Sequence, residues 1–215
     1  MFSGIVAASC QVLSIDQKNG IHRLTLDLTG LTQHLEVGAS VAINGVCLTV
    51  VDIDDVSVSF EIVQATYNQT NLQFLSPATL VNVERSIRLG DEIGGHLLAG
   101  HIAGVVTVLH VHISSNEHSV EFVVPEPWRK YCHTKGYIAL DGVSLTLASF
   151  DYETGTGIVN LIPETLRRTT LRTVAKGKLL NFEVDPTTLT IVDTVERILQ
   201  SMPNTIDEPK HKARS

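Results

Sequence analysis

Two short stretches carry the residue types that a reaction needs. Asn44-Gly45-Val46-Cys47-Leu48-Thr49 sets a thiol and a hydroxyl two residues apart, and Asp141-Gly142-Val143-Ser144-Leu145-Thr146 sets two hydroxyls at the same spacing. On a strand, side chains two residues apart share a face, so one bound ligand meets both groups. Asn-Gly and Asp-Gly favour tight turns with positive φ and so launch a strand just ahead of each pair. A plain hairpin with polar edge residues has the same pattern, but its duplication favours a site.

A third stretch, Gly94-Gly95-His96-Leu97-Leu98-Ala99-Gly100-His101, is rich in glycine and carries two histidines. Their spacing does not fit the i, i+4 pair of a helical zinc site, and no Walker or Rossmann frame fits. Two readings stay open. The glycines let backbone approach a ligand while a neutral imidazole serves as acid or base near pH 7, or the stretch is a flexible linker with incidental histidines. His110 and His112 share a strand face without a third ligand, and read as surface or subunit-contact residues. No metal site is expected. At Ile162-Pro163-Glu164-Thr165 the proline interrupts a strand's hydrogen bonding. That is either an ordinary strand end or a place where free backbone groups bind the imide-like edge of a heterocycle.

The elements that must position these groups are short strands. Leu24–Leu28, Ser40–Ile43, Leu48–Ile53 and Val56–Ile62 are β-branched runs set off by Lys18-Asn19-Gly20, Asn44-Gly45 and Asp54-Asp55. Val105–Val111, Ser119–Val124, Tyr137–Leu140, Leu145–Phe150 and Gly157–Ile162 repeat the style. Strands at such spacing imply an all-β sandwich or barrel. The two halves also match in register. Gly4-Ile5-Val6-Ala7 corresponds to Gly100-His101-Ile102-Ala103, Ala42–Thr49 to Ala139–Thr146, Ala65–Leu72 to Glu164–Leu171, and Leu80–Glu84 to Leu179–Glu183. The blocks keep their order and the offset drifts only from 96 to 99, which marks a tandem duplication. Two small closed barrels follow, because closure removes exposed strand edges. The expected boundaries are 1–96 for the first barrel, 97–187 for the second, and 188–215 for a terminal helix and flexible tail. In that last part Asp193 is expected to cap a helix with Val195, Ile198, Leu199 and Met202 on one face, ended by Pro203. The apolar stripe must be buried against the barrels or against another subunit. The polar tail 204–215 is expected to be disordered.

Composition narrows the function classes. The 215 residues are 43% hydrophobic and 18% charged, with a net charge of −7, which suits a packed core and disfavours bulk nucleic-acid binding. No apolar run is long enough to span a membrane. The start, MFSGIVAASC, lacks the basic region of a signal peptide. Cys10, Cys47 and Cys132 are odd in number and widely spaced, so neither a disulfide framework nor a C-x-x-C site is expected, and a cytoplasmic location is the simplest.

Taken jointly, Met1-Phe2-Ser3-Gly4-Ile5-Val6, Asn44–Thr49, Asp91-Glu92-Ile93-Gly94-Gly95-His96, Gly100-His101-Ile102, Asp141–Thr146 and Pro163–Thr165 resemble the riboflavin synthase family of the α-subunit type, from Met1 to about Leu199. The resemblance implies two six-stranded Greek-key barrels and a C-terminal helix that builds a homotrimer. It implies dismutation of two molecules of 6,7-dimethyl-8-ribityllumazine into riboflavin and 5-amino-6-ribitylaminouracil by transfer of a four-carbon unit, without metal, flavin or nicotinamide cofactor. It places one pocket at Gly4, Ile5, Val6, Cys47, Leu48, Thr49, Glu61, Ile62, Val63, Gln64, Ala65 and Thr66. The other pocket falls at Gly100, His101, Ile102, Ser144, Leu145, Thr146, Asn160, Leu161, Ile162, Pro163, Glu164 and Thr165, and Lys135 reaches a neighbouring subunit's ligand. Phe2, Cys47, His101, Ser144, Thr146 and Asp185 match family positions linked to catalysis, with His101 and Ser144 expected to handle the proton and the nucleophile. The sites lie between subunits, and association with lumazine synthase is a further expectation. Ala65 departs from the Glu common in the family, which the second half keeps as Glu164, and Ser3 replaces the commoner Thr. The alternative function is a non-catalytic lumazine- or flavin-binding relative, like the antenna proteins of luminous bacteria. A purely structural barrel module leaves the matched polar residues unexplained.

Overall fold

The computed structural model describes residues 1–114 and 117–202. The expected tail, 204–215, and Pro203 lie outside the described residues. The first half holds β1 (Ala8–Lys18), β2 (Ile21–Asp27), β3 (Ser40–Ile43), β4 (Val46–Asp54), β5 (Ser57–Val63), α1 (Gln64–Gln69) and β6 (Leu80–Arg85). The second holds β7 (Gly104–Ile113), β8 (His118–Val123), β9 (Tyr137–Leu140), β10 (Val143–Asp151), β11 (Thr156–Asn160), α2 (Pro163–Arg168) and β12 (Leu179–Val184), followed by α3 (Pro186–Ser201). Each set of six strands closes into an antiparallel barrel, in the order β1-β2-β5-β4-β3-β6 and its counterpart β7-β8-β11-β10-β9-β12. Passing from β2 to β5 over the β3–β4 hairpin is the Greek-key step.

The turn chemistry read from the sequence is what pins the register. Asn44 and Gly45 take φ of 45° and 82° and pair Ile43 with Val46; Asp141 and Gly142 take 45° and 77° and pair Leu140 with Val143. Both are two-residue turns with left-handed geometry, the kind that matches strand twist. Register shifts at Val50/Asp52 in β4 and at Leu147/Ser149 in β10 bend equivalent strands so that each barrel closes. Alternate residues then point inward. Leu24, Leu26, Val58, Phe60 and Val83 fill one barrel; Val106, Phe122, Leu147, Val159 and Phe182 fill the other. Each such side chain contributes about 1.5–3 kcal/mol by leaving water.

The barrels meet through a polar, two-fold-like seam. Asn82 Nδ2 donates to the Asp141 carbonyl and Asn181 Nδ2 to the Asn44 carbonyl, both at 2.9 Å. The Asn82 amide donates to Asn44 Oδ1 and the Asn181 amide to Asp141 Oδ1, both at 2.8 Å. At the centre the two turns touch, and a Cβ on Gly45 would sit 2.8 Å from the Gly142 nitrogen. No larger residue fits there.

The terminal helix is capped eight residues before the expected position. Asp185 is the N-cap, accepting from the Thr188 amide at 2.8 Å, and Pro186 opens the first turn. Asp193 lies inside the helix, where it accepts from the Tyr131 hydroxyl at 2.5 Å, and Glu196 pairs with Lys130. Leu189 and Val192 pack on the second barrel's core. Val195, Ile198, Leu199 and Met202 stay 48–61% exposed, so the stripe is not buried within the chain. Among the described residues, no helix is long and apolar enough to cross a membrane.

Candidate functional site

Ser144 is the second residue of β10, and three other segments converge on it. Its amide donates to the Gly4 carbonyl at 2.9 Å. Gly4 has φ +74°, and a Cβ there would lie 2.5 Å from Ser144 Cβ, so only glycine passes. Gly95 is equally constrained, at 2.6 Å from the same atom. The next residue, His96, sets Nδ1 2.6 Å from Ser144 Oγ and stacks on Tyr137 with ring centroids 4.9 Å apart. Burial pushes the His96 pKa down, against the opposing pull of the Asp185 charge, which favours a neutral ring. A neutral imidazole nitrogen 2.6 Å from a serine hydroxyl can take its proton. The Gly94-Gly95 pair thus serves backbone approach, but to the chain itself.

Two adjoining cavities, about 320 and 350 Å³, are lined by Ser144, with His96 buried outside their linings, and share Ser144, Ile162 and Thr165. One extends to Lys135, Thr146 and Asn160, the other to Gly4, Ile5, Val6 and Glu164. Lys135, at φ 69°, borders its own chain's groove. The counterpart in the first barrel is smaller, about 270 Å³, and is lined by Cys47, Thr66, Gln69, Gly100, His101 and Ile102 among others. There the Cys47 amide donates to the Gly100 carbonyl at 3.1 Å, and a Cβ on Gly100, at φ +78°, would sit 2.5 Å from Cys47 Cβ. No hydrogen bond to the Cys47 thiol is present among the described residues. A further cavity, about 440 Å³, lies near Asn71 and Asp141 and contains none of these groups.

The grouping expected from the resemblance is therefore crossed. Gly4, Ile5 and Val6 do not join Cys47 but wall the second barrel's groove; Gly100, His101 and Ile102 do not join Ser144 but wall the first barrel's. The reason is that the segment before each barrel's first strand leans across the seam onto the other barrel. His101 and Ser144 consequently line different pockets, and it is His96 that partners Ser144.

The remaining expected residues divide by burial. Leu48, Ile62, Leu145 and Leu161 belong to the cores. Thr49, Glu61, Val63 and Ala65 are exposed, and exposed Gln64 sets Oε1 3.1 Å from His22 Nε2. Phe2 is buried at the seam against Ala42, Leu98 and Ala139, bonded to Leu98 through both backbone groups at 2.9 Å. Asp185 serves as the helix cap. Pro163 opens α2, and Glu164 in its first turn bonds Arg167 and Arg168, which hold its pKa down at about 2. Ala65, Asn68 and Gln69 take the equivalent places in the first half, so that ion cluster has no counterpart there. His110 and His112 are exposed, as a surface reading requires. Among the described residues, no group of His, Cys, Asp and Glu is placed to hold a metal ion.

The lumazine binding domain model matches residues 3–86 and again 99–185. A riboflavin synthase from Escherichia coli is 42% identical over 216 aligned residues, covering 99% of this chain and 100% of that protein. One from Buchnera aphidicola is 38% identical and covers 93% of this chain and 96% of its own. Among solved structures, LumP complexed with 6,7-dimethyl-8-(1'-D-ribityl) lumazine is similar with a TM-score of 0.77 at 26% identity, over 86% of this chain and 99% of that one.

Proposed function

Since the chain belongs to the riboflavin synthase family, built from two lumazine-binding domains, we propose that it converts two molecules of 6,7-dimethyl-8-ribityllumazine into riboflavin and 5-amino-6-ribitylaminouracil. The observation that carries this is the pair of like pockets in one chain, one of which is lined by a serine that a buried imidazole bonds from behind. One substrate must lose a proton from its 7-methyl group. The other must be held, and activated at C7, while the four-carbon unit leaves it. We assign Ser144, with His96 as its base, to the nucleophile or its positioning, and the cavity walls to holding the rings in register.

The lining sets of the two pockets share no residue. Pockets from two chains that face each other would bring donor and acceptor together. The outward stripe of α3 supports a homotrimer as that assembly. Cysteines that remain free accord with a cytoplasmic location. Association with lumazine synthase belongs to the same proposal, and co-purification tests it.

A second reading has one favouring observation, the likeness to LumP, whose structures hold lumazine, riboflavin or flavin mononucleotide. A binding protein needs pocket shape but no serine–imidazole pair. Pure protein mixed with 6,7-dimethyl-8-ribityllumazine decides between them. Riboflavin fluorescence should grow, with one riboflavin formed per two lumazines consumed. Binding without conversion would establish the second reading.

A further inference from the structure

Two buried carboxylates hold the segments that cross the seam. The Ser3 amide and hydroxyl donate to Glu84 Oε1 at 2.7 and 2.8 Å, and the Gly4 amide to Glu84 Oε2 at 3.1 Å. At the equivalent place in the second half, the Ala99 amide donates to Glu183 Oε1 at 2.8 Å and the Gly100 amide to Glu183 Oε2 at 3.1 Å. Glu84 lies on β6 and Glu183 on β12, and both are nearly inaccessible, 6% and 3% exposed. A buried carboxylate is costly unless its oxygens are bonded. Here successive N–H groups need an acceptor with two oxygens, which a carboxylate supplies and an amide does not.

The carbonyls of these same segments point to the other barrel. Gly4 accepts from Ser144, and Gly100 accepts from Cys47. Each glutamate therefore stands in one barrel and fixes a wall of the pocket in the other. We propose that Glu84 and Glu183 are crossed positioning residues: Glu183 sets the Cys47 pocket and Glu84 sets the Ser144 pocket. Neither touches substrate in this scheme. The proposal rests on these pockets being the lumazine sites, and its test is separable from that reading.

Cys47 supplies a readout that does not depend on turnover. It is half-buried, whereas Cys10 and Cys132 are buried with thiols pushed up to about 11 and about 12. A disulfide reagent such as dithiobis(nitrobenzoate) therefore reports Cys47 in the full chain. Glu183→Gln keeps the side chain's size but leaves one oxygen for two amides. The Cys47 rate should rise on the order of tenfold, the effect of losing a hydrogen bond to a charged acceptor. Glu84→Gln should leave the Cys47 rate within about twofold, because its oxygens hold Ser3 and Gly4 and make no bond to the Gly100 segment that walls Cys47. Equal acceleration by both variants, or by neither, overturns the crossed assignment. Circular dichroism checks folding, and if Glu183→Gln does not fold, Glu183→Asp, one methylene too short for both amides, makes the same comparison. In the unsubstituted chain, 6,7-dimethyl-8-ribityllumazine should slow the reagent. Acceleration by Glu183→Gln without that protection would support the clamp and count against the lumazine reading.

Discussion

Asp141→Asn should stabilise the chain at pH 8 and do little at pH 5. Asp141 is 2% exposed, and its Oδ1 accepts from the Asn181 amide and from Asn71 Nδ2, both at 2.8 Å. Burial raises its pKa from 3.8 to about 7, although these bonds and the Lys178 charge pull the other way. An acid whose folded pKa exceeds its unfolded one favours folding at low pH. That advantage is lost as the pH climbs from about 4 through about 7. The interval from 3.8 to about 7, at about 1.4 kcal/mol per pH unit, makes the ionised form cost about 4 kcal/mol. Asparagine imitates the neutral acid, and Asn44 already plays this part in the first half, where its Oδ1 accepts from the Asn82 amide. The new amide nitrogen requires an acceptor, which takes back about 1–3 kcal/mol. The net gain at pH 8 is then about 1–3 kcal/mol, or roughly 2–10 °C in Tm for a chain of this size. Glu183, also pushed up to about 7, retains part of the pH slope in the variant. Thermal and urea unfolding at pH 5 and pH 8 measure the effect. A variant no more stable than the parent at pH 8, or a difference that does not change with pH, refutes the reasoning.

His96→Gln and Ser144→Ala should each lower kcat by about 10²-fold or more, as loss of a positioned base does; the double variant should be little worse than the poorer single one. Additive losses in steady-state kinetics would break the pair into independent groups. Ile198→Lys combined with Leu199→Lys leaves the Leu189 and Val192 contacts in place but charges the outward face of α3. Light scattering should then find monomers, and trimers that persist would remove the helix from the assembly scheme. Gly4→Ala imposes a Cβ 2.5 Å from that of Ser144 at φ +74°, and should cost about 1–3 kcal/mol. An unchanged melting temperature would show that the segment shifts freely.

Much of this was legible because the duplication repeats specific polar residues in register, and because Asn44-Gly45 and Asp141-Gly142 encode turns that admit few alternatives. Strand positions followed from those turns. The start of α3 did not, since Pro186–Val192 is rich in β-branched residues that suit a strand as well as a helix. Asp185-Pro186 held the needed signal, a capping side chain followed by a residue preset for the first turn. The exchange of Gly4–Val6 and Gly100–Ile102 was beyond the sequence for a different reason. Matching offsets show that two segments are equivalent, but do not show which barrel each one touches. His96 was visible in a glycine-rich run, yet its contact with Ser144, 48 residues away, is set by closure of the second barrel and not by local spacing.

The touching turns at Gly45 and Gly142, together with the exchanged leading segments, bear on how such a chain can be recombined. A chimaera spliced between the two repeats would inherit each half from a different relative and look conservative, because each barrel stays whole. Yet it would make both pockets hybrid, since Gly4 would lie on a foreign Ser144 and Gly100 on a foreign Cys47. A breakpoint beyond Ser144, such as the exposed turn at Tyr152 and Glu153 between β10 and β11, leaves those four partners from one parent. In this architecture the heritable unit of the site is the seam, and gene shuffling should tolerate crossovers beyond Ser144 better than crossovers at the apparent domain boundary.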